Sequence, residues 1–186
     1  MTTILKYPDT KLRKTAARVE VVDDWRLGWV LELGEKLATE RAVGLAATQM
    51  GFEERFFGIK LAKKEVEIFI NPTFVAISRE RSVPMVRDEE SSENFLEGCL
   101  SFPKLWGEVE RYLRIRAEWQ KLVDGRLVNR QREMEGLEAV VYQHELDHLD
   151  GVLFVDHVAE GGGKIYRDEE GKMKRVKIEE ILALEG

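Results

Sequence analysis

The run Tyr142-Gln143-His144-Glu145-Leu146-Asp147-His148-Leu149-Asp150-Gly151 restricts this chain more than any other. Gly136 opens and Gly151 closes a segment, Leu137 to about Leu149, that reads as a helix. Residues four apart on a helix share a face, so the imidazoles of His144 and His148 can reach one ion. Glu145 follows the first of them and can move protons beside that ion without binding it. The chain has three histidines, and two fall into this spacing. Two unrelated surface histidines are the weaker explanation.

Two histidines leave a metal site unfinished. Gly151 stands where metzincin proteases keep a glycine, but Phe154 occupies the position of their third histidine. That version is excluded. A glutamate further along, Glu179 or Glu180, could serve as in gluzincins, yet nothing around them resembles that family. The remaining soft donor is Cys99, in Glu97-Gly98-Cys99-Leu100-Ser101. A lone cysteine reads first as a small buried hydrophobe. Beside the helix pair it becomes the third ligand, and a thiolate with two imidazoles and one open position suits catalytic zinc or ferrous iron. A non-catalytic zinc site, with His157 as fourth ligand, is the competing scheme. It leaves Glu145 and Gln49 without a purpose.

The rest of the chain is consistent with one catalytic domain over residues 1–186, since no repeat or low-complexity linker divides it. A net charge of -6 argues against a surface made to grip nucleic acid. Met1 to Asp9 lack a signal-peptide core and no run is apolar enough for a membrane span, so a cytoplasmic protein is expected. A single cysteine permits no internal disulfide.

Asp23-Asp24 cap a helix expected from Trp25 to about Arg41. Strands are expected over Phe56–Leu61, Val66–Asn71 and Phe74–Ser78, and a strand end over Phe95–Phe102. Two longer strands, Glu108–Leu122 and Arg126–Met134, meet at Asp124-Gly125, a strong hairpin signal. The charged stretch Arg79–Asn94 reads as an exposed loop, and Met173–Leu184 as a final amphipathic helix. Hairpins with separate helices predict an α+β fold.

Three segments, Val43-Gly44-Leu45-Ala46-Ala47-Thr48-Gln49, Glu97-Gly98-Cys99-Leu100-Ser101 and Gln143-His144-Glu145-Leu146-Asp147-His148, resemble the signature motifs of peptide deformylases in the family's order. The resemblance runs from Val43 through His148. It implies antiparallel strands packed around a central metal-binding helix, and removal of the formyl group from the initiator methionine of nascent polypeptides. It implies ferrous iron as the usual metal, with zinc, nickel or cobalt able to use Cys99, His144 and His148. Glu145 would be the proton carrier. The Gln49 amide and the Leu100 backbone N–H would donate to the developing oxyanion. Val43-Gly44 and Gly98 would pair with an extended peptide, while Val43, Leu100, Val140 and Val141 would line the methionine pocket above His144. Glu97 with Arg111 resembles a supporting ion pair, and Asp147 would orient a ligand histidine. Ribosome association is a family-level expectation; the tail carries Lys172, Lys174, Arg175 and Lys177, a run of the kind that is usually a solvated helix face. Ala42, Lys104 and Trp106 depart from the usual pattern and bear on peptide preference, not on reaction type.

Overall fold

A computed structural model describes residues 2–61, 65–79, 81–87 and 92–185. Helix α1 (Asp24–Thr39) begins where the Asp23 carboxylate accepts from the Arg26 N–H, and it buries Leu33 and Leu37. Strands β1 (Gly44–Ala46), β2 (Phe56–Ile59) and β3 (Glu67–Ala76) follow. After them come the short β4 (Arg81–Ser82), β5 (Met85–Arg87) and β6 (Ser92–Asn94). Next are β7 (Glu97–Cys99), β8 (Phe102–Gly107), β9 (Arg111–Tyr112), β10 (Arg114–Val123) and β11 (Arg126–Glu135). Helices α2 (Leu137–Leu149) and α3 (Phe154–Gly161), strands β12 (Ile165–Glu169) and β13 (Lys172–Val176), and helix α4 (Ile178–Leu182) complete the order.

The strands form a five-stranded antiparallel sheet, β1-β2-β3-β10-β11, and a four-stranded one, β13-β12-β8-β7. Asp124 (φ 48°) and Gly125 (φ 75°) make the tight turn between β10 and β11, as the sequence predicts. The two strands expected at Val66–Asn71 and Phe74–Ser78 are one, β3. Pro72 lacks an N–H, and the ladder to β10 shifts register between Glu118 and Gln120 to pass it.

Three expectations are corrected. The stretch Arg79–Asn94 is not all loop: β5 pairs with β6 and β4 with β9, while residues 80 and 88–91 lie outside the described part. The strand expected over Glu108–Leu122 is divided into β9 and β10, after the separate strand β8. The tail expected to be one helix is a strand followed by one short helix. Its first half, with Glu170-Gly171 as the turn, pairs with β12 from Ile165↔Val176 to Glu169↔Lys172, and local helical spacing yields to that partner.

Helix α2 lies at the centre. From Ala139 to Leu149 every residue except Asp147 is buried. Tyr142 sets its edge against Phe57 and Phe69, and its hydroxyl donates to the carbonyls of Thr73 (2.9 Å) and Glu118 (3.0 Å), pinning the helix to the larger sheet. The smaller sheet, backed by Phe154, Val158 and Ile181, brings β7 to the helix from elsewhere. The fold is α+β, as expected.

Candidate active site

Two turns of α2 supply both histidines, and β7, 45 residues earlier in the chain than His144, supplies the cysteine. The ligand atoms of Cys99, His144 and His148 lie within 4.8 Å of one another. Cys99 Sγ stands 3.1 Å from His148 Nε2, and the two imidazole rings are 5.0 Å apart at 80°. Burial alone would push the Cys99 thiol up. The charge of His148 and hydrogen bonds from both histidines outweigh it and hold the thiol well below its ordinary range. These neighbours favour the thiolate, the form that binds metal.

Glu97 fixes His144. Its Oε2 lies 2.9 Å from His144 Nδ1. Burial would raise the Glu97 carboxyl, but the adjoining Arg111 guanidinium and His144 bring it to about 2. An ionised carboxylate can only accept, so His144 carries a proton on Nδ1 and turns Nε2 toward the thiolate. Arg111 forks onto Glu97 at 2.8 and 3.0 Å and reaches Asp147 Oδ2 at 2.5 Å. Both members of the Arg111–Glu97 pair are buried, so this is not the surface bridge such pairs usually make.

Asp147 was expected to orient a ligand histidine. Instead it accepts from Arg111 and from His157 Nε2 (2.8 Å), and Glu97 does the orienting. His157 is thereby tied to Asp147 and is not a fourth ligand; the cluster comprises Cys99, His144 and His148 among the described residues.

Gln49, at the end of the turn after β1, is buried and held at both ends. Its Oε1 accepts from the Ala46 N–H (2.9 Å), while Nε2 lies 3.3 Å from Cys99 Sγ and 3.1 Å from Ser101 Oγ. These contacts orient the amide with its donor toward the thiolate. Thr48 Oγ1 donates to the His148 carbonyl at 2.9 Å, joining this turn to α2. Glu145 is buried beside Gly44, and a Cβ on Gly44 would stand 2.2 Å from Glu145 Oε1. Glycine is required there because the carboxylate occupies the space. Burial pushes the Glu145 carboxyl up to about 7, the imidazoles of His144 and His148 offsetting part of the rise. Its Oε2 is buried without a hydrogen-bond partner among the described residues, which leaves it able to receive a polar guest. A thiolate, two imidazoles and an unpartnered carboxylate oxygen fit a divalent cation with water beside it.

A cleft of about 490 Å³ opens onto these groups, lined by Val43, Gly44, Gly98, Leu100, Val140, Val141, His144 and Glu145 among others. Val140 and Val141 belong to both the cleft and the core. Sequence reasoning missed Lys6, whose Nζ donates to the Leu100 carbonyl (2.5 Å), and Leu137, a half-exposed wall residue. Neither carries a local signal. Ser101 sat inside a quoted motif, and its position under Gln49 gives it a part.

Such a site, with a three-donor cluster beside an open cleft and a buried carboxylate at its edge, is of the class found in metallohydrolases. A family model described as polypeptide deformylase matches residues 1–163. Peptide deformylase from Novosphingobium aromaticivorans is 36% identical over 179 residues, covering 84% of this chain and 88% of its own. The Azotobacter vinelandii peptide deformylase is 38% identical over 161 residues, covering 84% and 86%. The crystal structure of peptide deformylase from Thermotoga maritima is similar at a TM-score of 0.71 with 35% identity, covering 84% of this chain and 97% of that one. The chain belongs to the polypeptide deformylase family. It is a metal-dependent hydrolase that removes the N-formyl group from the N-terminal methionine of nascent polypeptides. No described helix is long and apolar enough to cross a membrane.

Proposed function

We propose that Cys99, His144 and His148 hold one catalytic divalent cation, ferrous iron in the cell, with zinc, nickel or cobalt able to take the same ligands. When bound, the cation supplies Lewis acidity, lowering the pKa of water toward neutrality and polarising the formyl oxygen. The chain's own groups do the rest. Glu145 takes a proton from the attacking water and passes it to the departing amine. The observation that carries this reading is the Glu145 carboxylate, buried against Gly44 at the cleft with Oε2 unpartnered among the described residues. As the formyl carbon becomes tetrahedral, the Gln49 amide and the Leu100 backbone N–H donate to its oxygen. Gln49 is suited to this because the Ala46 N–H fixes which end of its amide faces the thiolate.

The peptide extends between Val43-Gly44 and Gly98, where β1 and β7 are edge strands of their sheets. Main-chain pairing of this kind holds many sequences. The methionine side chain enters the apolar part of the cleft against Val43, Leu100, Val140 and Val141, with His144 at its base. The whole chain, 1–186, acts as a single catalytic domain in the cytoplasm. Its substrates bring it transiently to the ribosome, and the exposed Lys172, Lys174, Arg175 and Lys177 of the C-terminal segment favour such an encounter. It has no sequence preference for nucleic acid and no membrane partner.

Hydrolysis of formyl-methionyl peptides by anaerobically purified protein, with Glu145→Ala as control, tests the assignment. Metal analysis of the same preparation tests the iron. Failure of metal-loaded protein to deformylate, or equal turnover by Glu145→Ala, would refute these roles.

A further inference from the structure

Strand β7 is bonded on one side to β8 and ends its sheet, so among the described residues no strand pairs with its other side, toward the cleft. Successive side chains of a strand point to opposite faces, and directly paired residues share a face. Glu97 and Cys99 turn inward, to His144 and His148. Gly98 lies between them and shares the other face with its cross-strand partner Trp106.

The indole fills the space that a side chain at position 98 would need. A Cβ on Gly98 would stand 2.5 Å from Trp106 Cζ3 and 2.6 Å from Cε3, so the ring lies against the bare backbone of β7. Trp106 is nonetheless 39% exposed and lines the cleft. On its far flank Tyr166 of β12 is its partner in the ladder. That strand and β13 follow residue 163, where the family match ends, so part of this wall is supplied from outside the matched region.

A peptide laid along the free side of β7 alternates in the same way. Its methionine side chain points inward, with the groups around His144; the next residue then points to the face shared by Gly98 and Trp106. We infer that Trp106 is a specificity-determining residue that selects, immediately after formyl-methionine, a flat apolar side chain, aromatic above all. This rests on the strand-like binding proposed above. An aromatic pair at this position favours the matching peptide roughly two- to tenfold over alanine.

The test compares kcat/KM for formyl-Met-Phe-Ala and formyl-Met-Ala-Ala with metal-loaded wild type, Trp106→Phe, Trp106→Leu and Trp106→Ala, each checked by thermal melt. Wild type should prefer the phenylalanyl peptide, chiefly through KM. Trp106→Phe should keep most of that ratio, while Trp106→Leu and Trp106→Ala should bring it close to one. A wild-type ratio near one, or an unchanged ratio in folded Trp106→Leu, overturns the inference even if Trp106→Ala does not fold. Absence of turnover on both peptides would instead strike at the catalytic assignment.

Discussion

Replacing Gly44 by alanine isolates the positioning of Glu145 from its chemistry. The added Cβ would lie 2.2 Å from Oε1, 2.7 Å from Cδ and 2.8 Å from Cγ of Glu145, where ordinary contact begins at 3.4 Å. Gly44 does not have a left-handed backbone, so alanine is acceptable to the chain itself. Nor can the strand step aside, because Leu45, Ala46 and Ala47 are fully buried beyond it. The carboxylate must therefore retreat by about 1 Å, a displacement that can cost about 10² in rate. Gly44→Ala is expected to lose about that factor in kcat/KM on a formyl-methionyl peptide while keeping its metal content and cooperative melt. Combined with Glu145→Ala it should add almost nothing, since both changes act through one carboxylate. Activity of Gly44→Ala within threefold of wild type, or full additivity in the double variant, would refute the reasoning.

Gln49→Ala removes an oxyanion donor and should lower kcat by about 10²–10³ with little change in KM, measured at saturating peptide. Arg111→Met strands the buried Glu97 carboxylate and the partly buried Asp147, and should cost about 3–5 kcal/mol. In a chain of this size that loss lowers Tm on the order of 10 °C, which differential scanning calorimetry would register. His157→Ala is expected to bind one equivalent of metal and to melt cooperatively, because His157 supports Asp147 and not the ion. Loss of the metal, read by elemental analysis, would restore the structural-zinc scheme.

What could be read from the sequence follows the range of the forces involved. Helix α2 is local: its spacing alone puts His144 and His148 together, and the ends at Leu137 and Leu149 match. The β10–β11 hairpin is likewise declared by Asp124-Gly125. The meeting of Cys99 with the helix depends on packing between two sheets; spacing does not give it, and it is read from Cys99 being the remaining soft donor, a reading the resemblance of three motifs then joins. Where two carboxylates flank the ligands, the sequence offers no way to tell which one accepts the hydrogen bond from His144 Nδ1. Packing gives that task to Glu97 and leaves Asp147 to Arg111 and His157. The tail misled because Met173–Leu184 carries apolar residues at spacings that suit a helix, and only its partner β12 decides for a strand. Strand β8 was obscured by Pro103 and by Lys104, which adopts φ 63°.

A helix enclosed on nearly every side has a consequence for how such an enzyme can change. Any alteration on α2 is felt by both sheets at once, so the chemistry is confined to whatever the core tolerates. The rim is under no such constraint: Val43, just before β1, and Trp106, on β8, stand at the solvent boundary. Lineages of this fold are free to alter which nascent chains they handle first by exchanging rim residues, leaving the bond they break untouched.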